Sequence, residues 1–319
     1  MISERINILI ASDINYAPYY GVMLTSLFEH NRESRFAVYL ITDETWTAKE
    51  TKKFEKLCGK YNSHFKALIT DIFSIIDVPL NPNHHCNKAT YYNILASKIL
   101  PPEIDKIIYM DGDMIVQGKI CKLWNIDMKD YAMAAVWDSM TFDDSTAERL
   151  GYDKRYAYVN NGTSVYNLAY WREHRIDKKA IEYMNAHPDT LTFMDQDVEN
   201  AVLAGHITYL PITYNFQTMF LCEYFWKHFD DNFKNQVLET AKHPMIIHYN
   251  GGTKPWNWRY WKMPYRMEWL REYWKSPWWF AYQMKPIGKY LKHLVKRIVH
   301  RKKLIAAQQS QYISEAQQL

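Results

Sequence analysis

Residues 104–116 read IDKIIYMDGDMIV, and the fold is decided there. The apolar run from Ile107 to Met110 is short and mixes β-branched residues with an aromatic, which predicts a buried strand. It leads directly into Asp111-Gly112-Asp113. A strand that ends in two carboxylates one residue apart carries negative charge to the edge of a sheet. Gly112 lets the backbone bend there and leaves room for a ligand. Two carboxylates this close repel each other and are suited to hold a cation. Their hard oxygens favour Mg²⁺ or Mn²⁺, and such an ion commonly also takes a phosphate. Taken alone, the triplet reads equally well as a solvated acidic turn after a strand.

Working outward, residues 6–11 (INILIA) read as a first strand, with Asp13 and Asn15 beyond its C-terminal end. Residues 19–30 have helical apolar spacing, 36–41 read as a second strand, 48–61 as a helix and 65–69 as a third strand. This βαβα rhythm predicts an α/β fold, a largely parallel sheet with helices on both faces. Ligands bind such sheets at the carboxyl ends of the strands, so one cleft would hold both Asp13 and Asp111. The ten glycines form neither a dinucleotide fingerprint nor a P-loop, so a bound nucleotide would need another grip on its phosphates.

The bulk numbers fit this picture. A chain of 319 residues with 48% apolar and 23% charged residues suits one large α/β domain with a C-terminal appendage. Cys58, Cys86, Cys121 and Cys222 are widely spaced, which argues against a disulfide framework or a zinc site and for a reducing compartment. The N-terminus lacks the apolar core of a signal peptide, and no apolar stretch is long enough to span a bilayer. The expectation is a cytoplasmic protein, soluble or peripheral at the inner face of the cell membrane.

Three further polar clusters follow apolar runs. Residues 156–159 read as a strand running into Asn160-Asn161-Gly162. Residues 193–197 (FMDQD) open a helix. Residues 245–248 run into Tyr249-Asn250-Gly251-Gly252-Thr253-Lys254-Pro255-Trp256. Each is weak singly; their order is specific. Across residues 5–260 the chain resembles glycosyltransferase family 8, the retaining family that includes glycogenin and bacterial lipopolysaccharide α-galactosyl- and α-glucosyltransferases. The resemblance is carried by ASDINYAPYYGVMLTSL at 11–27, IIYMDGDMIV at 107–116, VNNG at 159–162, MDQD at 194–197 and HYNGGTKPW at 248–256.

The resemblance implies a single Rossmann-like GT-A catalytic domain over 1–255 and a Trp-rich, basic, helical extension over 256–319. It implies that Asp111, Asp113 and His248 ligate Mn²⁺, with Mg²⁺ as the second choice, because an imidazole beside two oxygen donors suits Mn²⁺ better. Asp13, Asn15 and Tyr16 would hold the uracil and ribose of a UDP-sugar, with Tyr16 stacked on the base. Gly112, Gly251 and Lys254 would meet the diphosphate, and Asn160, Asn161, Asp195 and Gln196 would surround the sugar, glucose or galactose. Asp138 lies where the family places an acceptor-side carboxylate. Gln196 falls near the anomeric carbon but is a poor nucleophile, so a front-face route is preferred; a double displacement would fall to Asp195. Two departures bear on the sugar. Asn93 stands where many members carry an arginine toward the nucleotide sugar, and Asn161 where a small residue is common.

The charge distribution is uneven. Residues 256–304 hold 13 Lys/Arg against 2 Asp/Glu, whereas residues 1–255 hold 26 against 32. Seven of the twelve tryptophans lie at 256–279. Farther on, Ile287, Tyr290, Leu291, Leu294, Val295, Ile298 and Val299 recur at helical spacing among lysines and arginines, which predicts an amphipathic helix. Residues 285–304 would meet an anionic membrane surface, or pack on the catalytic domain with a solvated basic face. The acceptor is a hydroxyl of a glycan, a lipid-linked glycan or a protein; no nucleic-acid partner is expected. Two other classes compete: an aspartate-phosphorylated phosphohydrolase using Asp111, and a non-catalytic carbohydrate-binding module. Neither accounts for Asp13, Tyr16 and His248 together.

Overall fold

The computed structural model describes residues 5–71 and 91–279. Ten strands are present among them. They are β1 (Ile6–Ala11), β2 (Phe36–Thr42), β3 (His64–Ile69), β4 (Lys106–Met110), β5 (Met114–Val116), β6 (Met133–Trp137), β7 (Val159–Asn167), β8 (Ile207–Tyr209), β9 (Phe216–Gln217) and β10 (Ile246–His248). Seven form one sheet in the order β3-β2-β1-β4-β7-β6-β8. Its pairs are parallel except where β7 runs antiparallel between β4 and β6. The remaining three form a small sheet in the order β5-β10-β9.

The inner strands β1, β2 and β4 are largely apolar on both faces because both faces are covered. Along β1, Ile8 and Ile10 enter one core cluster while Leu9 and Ala11 enter the other. Along β4, Ile108 and Met110 divide from Ile107 and Tyr109 in the same way. The first cluster packs under α1 (Ala17–His30) and α2 (Ala48–Lys60), through Leu24, Leu27, Phe28, Phe54 and Leu57. The second packs under the helices Leu168–Glu173, Ile176–Ala186 and Met194–Leu203. Thr47 caps α2, accepting from the Glu50 backbone N–H at 3.3 Å. Edge strand β3 alternates partly and fully exposed residues, as a one-sided strand should.

One expectation needs correction. The strand expected at 156–159, with Asn160-Asn161-Gly162 trailing it, instead begins at Val159, and the three polar residues lie inside it. Because β7 is antiparallel to β4, its beginning lies beside the end of β4. The Asp111 N–H donates to the Gly162 carbonyl at 2.8 Å. The β6–β7 register shifts between Ala135 and Val136, and that irregularity accommodates residues of poor strand propensity.

The described part of the Trp-rich stretch lies against the body. Trp269 and Tyr273 on the helix Arg266–Lys275 pack with Val22, Ile115, Ile247 and Tyr249. Trp278 is 1% exposed and lies in the first core cluster. Its Nε1 donates to Glu50 at 3.0 Å, and the Lys53 ammonium sits 4.2 Å above its ring. Gly21 makes room for it: a Cβ there would fall 2.2 Å from the indole. Among the described residues no helix is long and apolar enough to cross a membrane. The amphipathic segment at 285–304 lies outside the described residues.

Trp278→Ala should therefore cost about 3–5 kcal/mol of unfolding free energy in a urea titration. Gly21→Ala should cost about 1–3 kcal/mol by overpacking, although alanine is the better helix former. In the Trp278→Ala background the Gly21→Ala penalty should largely vanish; additive losses would mean that the two do not share one contact.

Candidate active site

The site grows from the end of β4. After Met110 the chain places Asp111 and Asp113 at the sheet edge, and β5 starts at Met114. β10 pairs antiparallel with β5, with His248 opposite Met114. That register brings an imidazole to the carboxylates from far along the chain. His248 Nε2 lies 3.3 Å from Asp113 Oδ1 and 3.8 Å from Asp111 Oδ2. The three ligand atoms lie within 4.8 Å of one another, the only such group among the described residues. Glycines allow this closeness. A Cβ on Gly162 would fall 2.5 Å from His248 Cε1 and 2.7 Å from Asp111 Oδ2. Gly112 has no left-handed torsion, and the space beside it is filled by the Tyr16 and Tyr20 rings, 3.0–3.1 Å from where a Cβ would be.

The donor set fits a divalent cation. His248 Nδ1 is 3.0 Å from Asn215 Oδ1. The Asn215 amide nitrogen donates to the Asn160 carbonyl at 3.3 Å and to Asn160 Oδ1 at 2.8 Å. A main-chain carbonyl only accepts, so the amide oxygen is the atom turned to the ring. Nδ1 then carries a proton, and Nε2 is the nitrogen turned to the two carboxylates, the one a metal ion there would meet. The Tyr109 hydroxyl donates to Asp111 at 2.7 Å. Burial, and then the charge of Asp113, push Asp111 up to about 6. Burial acts the same way on Asp113, but Lys254 and His248 together outweigh it and hold that carboxyl below the usual range. Lys254 bonds Asp113 directly and also the Tyr249 carbonyl, at 2.9 Å.

Facing the cluster is the start of the helix Met194–Leu203. Met194 is left-handed, with φ +46°. The turn is held by Asp197, which is fully buried. Asp197 accepts from Arg149 at 2.8 and 3.1 Å, from Tyr158 at 2.6 Å, and from the Thr192 and Phe193 N–H groups at 2.6 and 2.9 Å. Asp195 and Gln196 are thereby presented side by side. The Asn160 amide donates to Gln196 Oε1 and to Asp138 Oδ2, each at 3.0 Å. Asp195 Oδ2 accepts from Asn161 and Asn93, each at 2.7 Å. Burial, then the charge of Asp111, push Asp195 up to about 7.

These groups line one cavity of about 510 Å³: Tyr16, Asp111, Gly112, Asp113, Asp138, Asn160, Asn161, Asp195, Gln196, His248 and Gly251 all border it. Four candidates stand back from its wall. Asp13 caps the turn at 14–16, accepting from the Asn15 and Tyr16 N–H groups at 2.9 and 3.2 Å, and Asn15 lies in that turn. Lys254 sits behind Asp113. Asn93 is fully buried behind Asp195.

Sequence reasoning missed Asn215, Tyr109 and Glu199. Nothing local marks Asn215, which lies in the turn before β9. Glu199 follows Asp195 by four residues on one helix, a same-face spacing that offered a signal.

The comparisons agree with this geometry. A sequence model of the family described as Glycosyl transferase family 8 matches residues 7–259. General stress protein A of Bacillus subtilis is 30% identical over 270 residues, covering 84% of this chain and 92% of that protein. A lipopolysaccharide 1,2-glucosyltransferase of Escherichia coli is 26% identical over 257 residues, covering 80% of this chain and 74% of the relative. The fold matches the crystal structure of the galactosyltransferase LgtC in complex with donor and acceptor sugar analogues. That match has a TM-score of 0.72 at 23% identity over 85% of this chain and 96% of that one. The mostly parallel sheet is that of a GT-A fold, and the chain belongs to glycosyltransferase family 8 and is a glycosyltransferase.

Proposed function

We propose that this enzyme moves a hexose, glucose or galactose, from a UDP-sugar to a hydroxyl acceptor of a cell-surface glycan, with retention at the anomeric carbon. The observation that carries the reading is one cavity with Asp111, Asp113 and His248 on one wall and Asp195 and Gln196 on the other. The names of the relatives support it, since one is a lipopolysaccharide glucosyltransferase. Lipopolysaccharide is the acceptor class of choice; lipid-linked glycan and protein hydroxyls are the other two.

Asp111, Asp113 and His248 would hold Mn²⁺, or Mg²⁺ in its place, which would supply Lewis-acid charge against the growing negative charge of departing UDP. Lys254, already beside Asp113, adds a fixed cation for the diphosphate, and the Gly251 backbone, left-handed at φ +77°, borders the same cavity. Tyr16 stacks on uracil, edge-on to Tyr19 and Trp256 at 5.0 and 6.1 Å, while Asp13 and Asn15 hold the ribose side. Asn160, Asn161 and Asp195 orient the sugar hydroxyls, and Asp138 meets the acceptor. The bond from the anomeric carbon to the UDP oxygen breaks. The acceptor oxygen joins on the same face, and its proton passes to the departing phosphate oxygen. Gln196, held by Asn160, packs against the anomeric centre as a dipole. Residues 285–304 bring the enzyme to an anionic membrane surface. Supporting this, the described segment leading toward them exposes Met267, Trp274 and Trp279.

UDP release from a panel of UDP-sugars should require Mn²⁺, and Asp113→Ala should lower it about a hundredfold or more while the circular dichroism spectrum is kept. Undiminished release in EDTA would end the metal reading. Asn215→Leu should weaken Mn²⁺ binding about 10–100-fold by calorimetry, since the orienting partner of His248 is lost. Full-length protein should sediment with vesicles rich in phosphatidylglycerol, less so as salt rises. Protein that stays in the supernatant at low salt would remove the membrane surface from its partners.

A further inference from the structure

Below the wall that Asp195 shares with the cavity lies a buried carboxyl that the reaction does not use. Glu199 is 2% exposed and sits one turn beyond Asp195 on the same helix. Its Oε1 accepts from the Tyr166 hydroxyl at 2.8 Å and from the Asn93 amide nitrogen at 3.2 Å. Its Oε2 has no hydrogen-bond partner among the described residues. The same Asn93 nitrogen is 2.7 Å from Asp195 Oδ2. An amide nitrogen carries two protons, so one buried side chain serves both carboxyls at once. Asn93 Oδ1 is fixed in turn by the Ile94 N–H at 3.0 Å.

No cation bonds either carboxyl among the described residues, and two charges cannot both be kept at this spacing in a dry interior. Both accept only from neutral groups, and Glu199, the deeper of the two, is the one that stays protonated. Burial, and then the charge of Asp195, hold it well above the usual carboxyl range. Oε1 is then its carbonyl oxygen, accepting twice, and Oε2 its hydroxyl. A neutral acid that accepts from Asn93 fixes how that amide points, and the amide fixes one oxygen of Asp195.

We propose that Glu199 is a positioning residue for the donor sugar: through Asn93 it sets the Asp195 carboxylate, and discrimination between UDP-hexoses depends on it. The inference rests on the UDP-hexose reading above. Hexose epimers differ only in the direction of a hydroxyl, and a site that hydrogen-bonds a hydroxyl discriminates only as well as its acceptor is placed.

The test compares wild type, Glu199→Gln and Glu199→Leu for UDP release from UDP-glucose and UDP-galactose with Mn²⁺, together with UDP affinity by calorimetry. Glutamine keeps the shape, the neutrality and the accepting oxygen. It should stay within about threefold of wild type in kcat and in the donor ratio. Leucine strands the Asn93 and Tyr166 donors. It should lower kcat about tenfold and shrink the ratio of kcat/KM between the two donors about fivefold, with UDP affinity unchanged. Should the leucine variant fail to fold, Glu199→Asp, which shortens the arm by one methylene, should lose the donor ratio in the same way. Variants indistinguishable from an active wild type would overturn this inference alone, as would a folded glutamine variant that fails like leucine. A wild type that releases UDP from neither donor would overturn the UDP-hexose reading along with it.

Discussion

Two carboxylates one residue apart repel each other, and burying them at the end of β4 makes that repulsion stronger. The structure around them answers it. The small sheet exists to pair β10 with β5, and the pairing sets His248 against Asp113. Lys254, six residues later, reaches the same carboxylate. Gly112 and Gly162 keep side chains out of the narrow space so that rings and ligands close in. Asn215 and Asn160 then fix which imidazole nitrogen faces the oxygens. A single electrostatic problem thereby organises residues from four separate segments of the chain, at 111–116, 160–162, 215 and 246–254.

The opposite wall is organised by amides. Asn93 connects Asp195 with Glu199, Asn160 connects Gln196 with Asp138, and Asn215 connects Asn160 with His248, while Asn161 donates to Asp195. Within this network Asp195 and Asp138 are bonded by amides; Arg149 braces Asp197 at one end, and the carboxylate cluster lies at the other. Such an arrangement gives polar groups partners in a buried setting without adding further charges.

The parallel strands were legible because a strand covered on both faces is a plain apolar run, and β1, β2 and β4 are such runs bounded by polar residues. The expected ends of α1 and α2 differ from those observed by a residue or two, the usual fraying of helix termini. β7 was misread because its first residues are asparagines and a glycine. They are held in the sheet by antiparallel neighbours rather than by propensity, and pairing partners are not visible in a local window. At the site, the motifs located Asp111, Asp113, Asp195 and His248. Their supports were not legible, since Asn215 and Tyr166 act through contacts made only after folding. Asn93 was noticed as a neutral residue; that it bridges two carboxyls depends on Glu199, which no motif contains.

The β5–β10 pairing also has a consequence in time. Synthesis runs from the N-terminus, so both carboxylates and the whole of β4 leave the ribosome long before residues 246–248. Trp256, which stacks on Tyr19 at 3.8 Å, follows later still, and Trp278 after that. A nascent chain that ends before β10 has the main sheet and the acidic edge but no imidazole and no brace behind Tyr16. The imidazole joins the two carboxylates only when the last quarter of the chain is released. A product of interrupted translation that ends before β10 thus lacks an assembled site and also Trp278, which fills the first core cluster.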